Sequence, residues 1–353
     1  MKANRPWVVH QYHDAAQPFD AVTNHLLLIQ KSLKEVGIGG EIFARQIKPD
    51  HWPAVRQFSE KQVWNCDLLL LHHSQGSPWL HRLLAIEVPK AVVYHNITPA
   101  EFFRHDPYIA DLSRQGRGQL LLLQKAVCRA FADSKYNATE LKELGFTRPE
   151  VFPLLDLSGQ SVSQRRGHES RRFLFVGKIT PHKNQALLVK TFFYLRKLLP
   201  EPPQLCLIGG ADPLYLRYVK KLVTLLGLES HVQILGKASG EEIEEFYREA
   251  DAYVSASLHE GFGVPLVEAM HFGVPVFALP CAAVPETLGG AGVSLKSQRP
   301  HRMAQQIAEV VTSDKARLAI LEKQAERFKS LKEFQNRQQI QKRIQETLHE
   351  IHP

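Results

Sequence analysis

Short apolar runs alternate along this chain with stripes of apolar residues spaced by three and four. The runs suit strands buried on both faces of a parallel sheet, and the stripes suit helices that cover such a sheet. Trp7-Val8-Val9 reads as a first strand. Asp20, a good N-cap residue, opens a helix whose Val22, Leu26, Ile29, Leu33 and Val36 share one face, with Gly37 as its stop. Glu41–Ala44, Cys66–Leu71, Lys90–Tyr94, Ala130–Asp133 and Glu150–Phe152 read as further strands. Helices are expected from Pro107 to Ala130 and from Ser134 to Leu144, the second stopped by Gly145.

The pattern lapses between Ser158 and Arg172, where polar and basic residues offer little to bury, and this stretch reads as a linker. It resumes with strands at Phe173–Val176, Leu205–Ile208, Val232–Leu235 and Ala252–Ser255. Helices are expected from Gln185 to Leu199, up to Leu226, from Glu241 to Ala250 and from the glycines near residue 263 onward. Beyond Arg302 the chain is helical and charged. The reading is therefore α/β with two domains, residues 1–157 and 173–330, a linker at 158–172, and a last helix in 331–353 crossing back to the first domain. A length of 353 residues suits two domains.

Composition narrows the picture only a little. A hydrophobic fraction of 44% is ample for cores, and a net charge of +8 favours anionic partners such as phosphates, acidic glycans or a membrane surface. No zinc-finger or RRM-type signature is present, so nucleic acid is not expected as a partner. Cys66, Cys128, Cys206 and Cys281 lie far apart and read as small buried hydrophobes in a reducing compartment. No apolar signal core or bilayer-length run is seen, which points to a cytoplasmic protein, with peripheral contact at the inner face of the plasma membrane as a further expectation.

The candidate chemistry centres on His259-Glu260-Gly261-Phe262-Gly263-Val264-Pro265-Leu266-Val267-Glu268-Ala269-Met270. It reads as a loop opening a helix: the glycines let a ligand approach the main chain, and Pro265 suits a first turn. The N–H groups and positive dipole end of such a helix favour an anion. Glu260 and Glu268 repel a phosphate, so they are expected to meet hydroxyls. A nucleotide-diphosphate sugar has that distribution of groups. A second cationic element is Gly177-Lys178-Ile179-Thr180-Pro181-His182-Lys183-Asn184, which follows a strand. Gly209-Gly210 ends another. His72, His73 and His95 fall at strand ends, the ligand edge of open α/β sheets; His95 is the candidate, and His72 and His73 read better as residues without a functional role. His10 and His13 have a metal-like spacing but no acidic partner nearby, and no metal is expected.

Two glutamates separated by seven residues around Gly-Phe-Gly, with Pro285-Glu286-Thr287-Leu288-Gly289 and Ala291-Gly292 downstream, resemble the donor-site motif of the retaining glycosyltransferases of family 4. The resemblance implies a GT-B fold, two Rossmann-like α/β/α domains with parallel sheets facing across a cleft. It implies transfer of a hexose from a UDP- or GDP-sugar to a hydroxyl of a glycan or lipid-linked acceptor, with anomeric configuration retained, in surface polysaccharide synthesis. The nucleotide-sugar is then a substrate, and neither cofactor nor metal is expected. It assigns catalytic roles to His95, Lys178, Lys183 and Glu260. It assigns donor binding to Asp20, Gly177, Gly209, Gly261, Phe262, Gly263, Val264 and Glu268. Lys178 stands where the family has Gly-Arg or Gly-Lys, and lysine lacks the bidentate geometry of arginine.

The first half fits the family more loosely. Ala15-Ala16-Gln17-Pro18 has no glycine where the resemblance implies a glycine-rich turn facing the donor phosphates, so Asp20 or Thr23 would make that contact. Phe102-Phe103-Arg104 with Arg114, Arg117, Lys125 and Arg129 forms an aromatic and basic segment suited to an acceptor phosphate or a membrane, a solvated helix face being the alternative. Other functions on this fold are a nucleotide-sugar epimerase, a phosphorylase or a catalytically inactive scaffold of a glycan assembly complex. A dehydrogenase is disfavoured because no strand leads into Gly-x-Gly-x-x-Gly.

Overall fold

The apolar runs and stripes fold into two α/β units in a computed structural model that describes residues 5–18, 20–48, 52–59, 64–158 and 171–353. One unit takes Met1–Gly159 together with Lys332–Pro353, and the other takes Gln160–Leu331. Most of the expected linker, 159–170, lies outside the described residues; Arg172, assigned to that linker, begins a strand instead.

The first unit contains β1 (Val9–Ala16), α1 (Ala21–Lys34), β2 (Ile42–Ile47), β3 (Arg56–Gln57), β4 (Leu68–His73), α2 (Leu80–Leu84), β5 (Lys90–Tyr94), α3 (Pro107–Ala126), β6 (Arg129–Ala132), α4 (Lys135–Glu143) and β7 (Glu150–Val151). Its sheet has the order β3-β2-β1-β4-β5-β6-β7, with every pairing parallel. Alternation along the strands divides the core between two faces. Leu69, Leu71, Val92 and Tyr94 pack with Leu120 and Leu123 of α3, whereas Leu68, Leu70, Ala91 and Val93 pack with Ile29 and Leu33 of α1.

The second unit contains β8 (Arg172–Val176), α5 (Gln185–Leu195), β9 (Gln204–Ile208), α6 (Pro213–Leu225), β10 (Val232–Gly236), α7 (Gly240–Glu249), β11 (Ala252–Ser255), α8 (Val264–His271), β12 (Val276–Ala278), α9 (Val284–Leu288), β13 (Val293–Ser294) and α10 (Pro300–Val311). Its strand order is β10-β9-β8-β11-β12-β13, again all parallel. Both sheets therefore reverse their winding beside their first strand, between β1 and β4 and between β8 and β11. Loops leave in opposite directions at such a point and open a crevice at the carboxyl ends of the strands.

The chain ends in α11 (Asp314–Phe334) and α12 (Arg337–Ile351). Ile340, Ile344 and Leu348 of α12 are fully buried in the same cluster as Ile29, Leu33, Phe131 and Phe152. The side-chain oxygen of Gln335 accepts from the N–H groups of Leu154 and Leu155 at 2.7 and 2.9 Å. Arg337 pairs with Asp156 at 2.7 Å and with Glu35. Arg343 pairs with Glu150, and Arg129 reaches Glu150 and Glu350, each at 2.7 Å.

Several boundaries differ from the sequence reading for identifiable reasons. β1 runs to Ala16 through His10 and His13, because hydrogen bonds let these polar residues be buried. Val36 is exposed rather than on the core stripe, since α1 ends at Lys34 and Gly37 turns the chain at φ 75°. α3 stops at Ala126 and α5 at Leu195, both short of the expected ends. Cys128 is exposed, Cys66 and Cys206 are buried, and all four cysteines are free. β3, α2 and α9 were not anticipated.

Because Ile344 is fully buried among α1 and sheet residues, Ile344→Ala should lower stability by about 2–5 kcal/mol, whereas Lys342→Ala on the exposed face should change it by less than about 0.5 kcal/mol. Denaturant unfolding of the two variants measures the contrast. Equal losses would mean that α12 does not depend on its apolar face.

Candidate functional site

At the winding reversal of the second unit, two strand-end turns meet backbone to backbone. Gly177 follows β8 at φ 147° and Gly209 follows β9 at φ 146°. A Cβ on Gly209 would lie 2.2 Å from the carbonyl oxygen of Gly177. Only glycine fits a contact this close in that backbone region. The Gly177 and Ile179 N–H groups donate to Ile208 and Gly210, both at 2.8 Å. Lys178 is exposed just beyond the strand, and a short 3-10 turn, Pro181–Lys183, leads through Asn184, in the left-handed region at φ 55°, into α5.

The loop between β11 and α8 is fastened to this turn. The Leu258 N–H donates to the His182 carbonyl at 2.7 Å. On its other side the Glu260 carbonyl accepts from the Ala283 N–H at 3.2 Å, and the Thr287 hydroxyl donates to the Phe262 carbonyl. Gly263, at φ 88°, caps α8, and Pro265 lies in the first turn as expected. The loop conformation is thus held by backbone groups, which leaves the Lys183, Glu260 and Glu268 side chains to make other contacts.

Those contacts are specific. Lys183 Nζ lies 2.6 Å from Glu260 Oε2, and the two side chains are only 18% and 15% exposed. Glu268 Oε2 accepts from the Tyr247 hydroxyl at 2.8 Å, and that hydroxyl also reaches the Pro265 carbonyl at 3.2 Å. Burial pushes the Glu268 carboxyl up, and the Tyr247 hydrogen bond opposes the shift. Burial, reinforced by Glu260 and Glu268, also raises Tyr253 well above 10.0. The Cys281 thiol is pushed up to about 12, first by burial and then by the Glu260 charge, and donates to the Ser257 carbonyl at 3.0 Å. It is a half-buried donor rather than a nucleophile. The edge therefore carries two cations and two carboxylates within the residues expected from sequence: Lys178, Lys183, Glu260 and Glu268.

The first-unit residues are placed differently. Asp20 caps α1, accepting from the Thr23 N–H at 2.9 Å and the Thr23 hydroxyl at 3.0 Å. The Gln17 N–H in turn donates to that hydroxyl at 3.3 Å, so the glycine-free turn is closed by this cap. The His95 side chain is 1% exposed. Its Nε2 lies 2.8 Å from His72 Nδ1, and its Nδ1 lies 3.1 Å from Asp133 Oδ2. His72 and His73 are buried within β4, not displayed at a polar edge. In the basic segment, Arg117 pairs with Glu140 and donates to the Ile97 carbonyl, and Arg114 pairs with Asp111.

The sequence reading missed Tyr247, His182, His25 and Asp133. His25 carried a signal: it precedes Ile29 by four residues on the buried face of α1. Tyr247 carried none, because its partner Glu268 is 21 residues away on another helix.

Two doubly wound parallel sheets of this kind are the architecture of the GT-B glycosyltransferases. Anabaena Alr3699/HepE in complex with UDP and glucose superposes with a TM-score of 0.74 over 98% of this chain and 100% of that chain, at 16% identity. Sucrose-phosphate synthase from Thermosynechococcus elongatus gives a TM-score of 0.75 over 98% and 99%, at 15% identity. At these identities the likeness is one of fold. Residues 160–328, in the second unit, match the family model of the glycosyl transferases group 1.

Similar curated proteins include a mannosylfructose-phosphate synthase of Agrobacterium fabrum, 32% identical over 37% of this chain and 30% of that protein. Another is the O-antigen chain mannosyltransferase RfbU of Salmonella typhimurium, 32% identical over 56% of this chain and 53% of that protein. The chain thus spans roughly a third to a half of the length of these relatives.

His182 supplies a pH test of the site's burial. Burial foremost, then the Lys183 charge, pushes its imidazole down to about 2, from 6.5. Below pH 6.5 the unfolded chain takes up a proton that the folded chain refuses, so stability is lost as pH falls through that window. The loss from this one group between pH 7 and pH 5 is about 2 kcal/mol. His182→Gln should flatten the acid side of the stability curve by about that amount, read as denaturant midpoints at the two pH values. An unchanged slope would show that His182 titrates normally.

Proposed function

We propose that this chain is a glycosyltransferase that moves a hexose, of mannose or glucose type, from a UDP- or GDP-sugar to a hydroxyl of a glycan or lipid-linked acceptor, with anomeric configuration retained. The observation that carries this reading is the Lys183–Glu260 pair at the winding reversal of the family-matched unit, beside Lys178 and the start of α8. Surface polysaccharide synthesis is the proposed setting. Among the described residues no helix is long and apolar enough to cross a membrane, so a lipid-linked acceptor would be met at a membrane surface, to which a net charge of +8 is suited.

The chemistry follows from what each side chain does. As the bond between the anomeric carbon and the diphosphate breaks, charge gathers on the leaving diphosphate. Lys178, Lys183 and the first-turn amides of α8 would stabilise it as fixed charges and dipoles. Each charge-assisted hydrogen bond contributes about 1.5–3 kcal/mol. Together they supply a good part of the roughly 8 kcal/mol of a micromolar donor. A diphosphate that draws Lys183 to itself frees Glu260 to accept hydrogen bonds from the sugar hydroxyls. Glu268, anchored by Tyr247 through one oxygen, keeps the other for the ribose hydroxyls. Neither glutamate is assigned as a nucleophile.

Thermal stability against uridine, guanosine and adenosine diphosphates and their sugars tests the reading. One base should stabilise the protein by about 2.7 kcal/mol at 100 times its dissociation constant. Lys183→Ala should weaken that ligand by about 10- to 100-fold, the equivalent of one charge-assisted bond. Glu268→Ala should weaken the nucleoside diphosphate and its sugar alike, because the lost contact is to ribose. If no nucleotide shifts the wild-type transition, the site assignment fails. If nucleotide-sugar binds but no sugar is transferred to any hydroxyl acceptor, the chain is a binding scaffold.

A further inference from the structure

Buried in the first unit, His25 of α1, His72 of β4 and His95 just after β5 each bring one ring nitrogen within 4.8 Å of the others. The opposite nitrogens are all committed to oxygen acceptors. His25 Nε2 lies 2.8 Å from the Pro153 carbonyl. His72 Nε2 lies 3.1 Å from Gln11 Oε1, and the Gln11 amide is oriented by its Nε2 donating to the Leu26 carbonyl at 3.0 Å. His95 Nδ1 lies 3.1 Å from Asp133 Oδ2. Each ring must therefore carry its proton on the outer nitrogen, which fixes the tautomer.

The inner nitrogens, His25 Nδ1, His72 Nδ1 and His95 Nε2, are then three lone pairs turned on one buried point. A single proton between His72 and His95, which stand 2.8 Å apart, relieves only two of them. His25 Nδ1 is buried and has no hydrogen-bond partner among the described residues. Leaving such groups unpaired is costly.

From this geometry we propose that His25, His72 and His95 form a divalent transition-metal site in the first unit, with zinc as the fitting ion. Three neutral imidazoles are a borderline-soft donor set that zinc accepts, with a fourth position open to another ligand. The backbone carbonyl, the amide oxygen and the carboxylate behind the rings are the outer partners that orient metal-ligating histidines. The Asp133 charge offsets part of that of the ion. Zinc–nitrogen bonds of about 2.0–2.1 Å need the His72 and His95 nitrogens to part by about half an ångström, a small rotation of two stacked rings.

The spacing of these histidines along the chain gives no metal motif; the parallel sheet brings them together at the carboxyl ends of its strands. All three ligands lie in the first unit, and the proposal does not depend on the donor reading. Its ion would tie α1, β4 and β5 together through one point.

Tag-free protein produced in zinc-supplemented medium and dialysed against metal-free buffer gives the test. Elemental analysis should find about one zinc per chain, falling below about 0.1 in His25→Phe and His72→Phe and unchanged in His301→Ala on the surface. X-ray absorption of the wild-type protein, which does not depend on the variants folding, should show imidazole scattering from the zinc. Cobalt(II) in its place should give visible absorption bands of a tetrahedral site. A wild-type protein that retains neither zinc nor cobalt overturns the proposal. So does zinc that persists at full content in a folded His25→Phe.

Discussion

A close backbone crossing underlies the second unit. Gly209 leaves its strand so near the Gly177 carbonyl that a side chain on Gly209 has no room between the two turns. That crossing sets where Lys178 emerges and how the following turn approaches the β11–α8 loop. The His182 carbonyl then takes the Leu258 N–H, and Lys183 and Glu260, 77 residues apart in sequence, arrive 2.6 Å from each other. Parallel strand order supplies the meeting place, because only at the reversal do loops from non-consecutive strands diverge and leave an edge open. The charges are late details on a backbone arrangement that requires glycine.

The same logic in the first unit runs through polar burial instead of glycine. β1 ends in Ala15-Ala16, and its exit is closed by the Asp20–Thr23 cap. Around it β1 and the carboxyl ends of β4, β5 and β6 bury Gln11, His13, His72, His95 and Asp133. Buried polar groups are tolerated only when bonded, and here the bonds pass from ring to ring between strands. α12 closes the opposite requirement. It brings apolar residues to the face of the sheet that α1 alone does not cover and adds ion pairs at its margins, so that the end of the chain becomes part of its first unit.

Sequence was a good guide where a feature depends on neighbours along the chain. Lys90–Tyr94 and Ala252–Ser255 are strands over the residues expected, since each is a short apolar run buried on both faces. Asp20, Gly263 and Pro265 take their expected positions because caps and first turns are local chemistry. It was a poor guide where the decisive partner lies far away. His10 and His13 looked like the end of a strand because they are polar, yet they continue β1 once His10 Nδ1 accepts the Glu41 N–H and His13 meets Ser74. Tyr247 cannot be chosen from α7 without knowing that Glu268 stands beside it. The histidine cluster draws on two strand ends and a helix, so no window of sequence contains it.

The Lys183–Glu260 contact also bears on why both charges are kept in a half-buried place. Each would be expensive there alone, and removing one partner leaves the other uncompensated. Paired, they compensate each other while remaining exchangeable, since at 18% and 15% exposure an incoming polyanion can reach the lysine. A diphosphate carries more charge than one carboxylate and competes for the ammonium on favourable terms, and what it displaces is not lost. The released Glu260 is an acceptor held in place by the Ala283 N–H on its carbonyl, and hydroxyls are the groups it can best accept from. Under the proposed function, an ion pair of this kind would turn into two separate recognition elements, one for anion and one for hydroxyl, when a nucleotide-sugar binds.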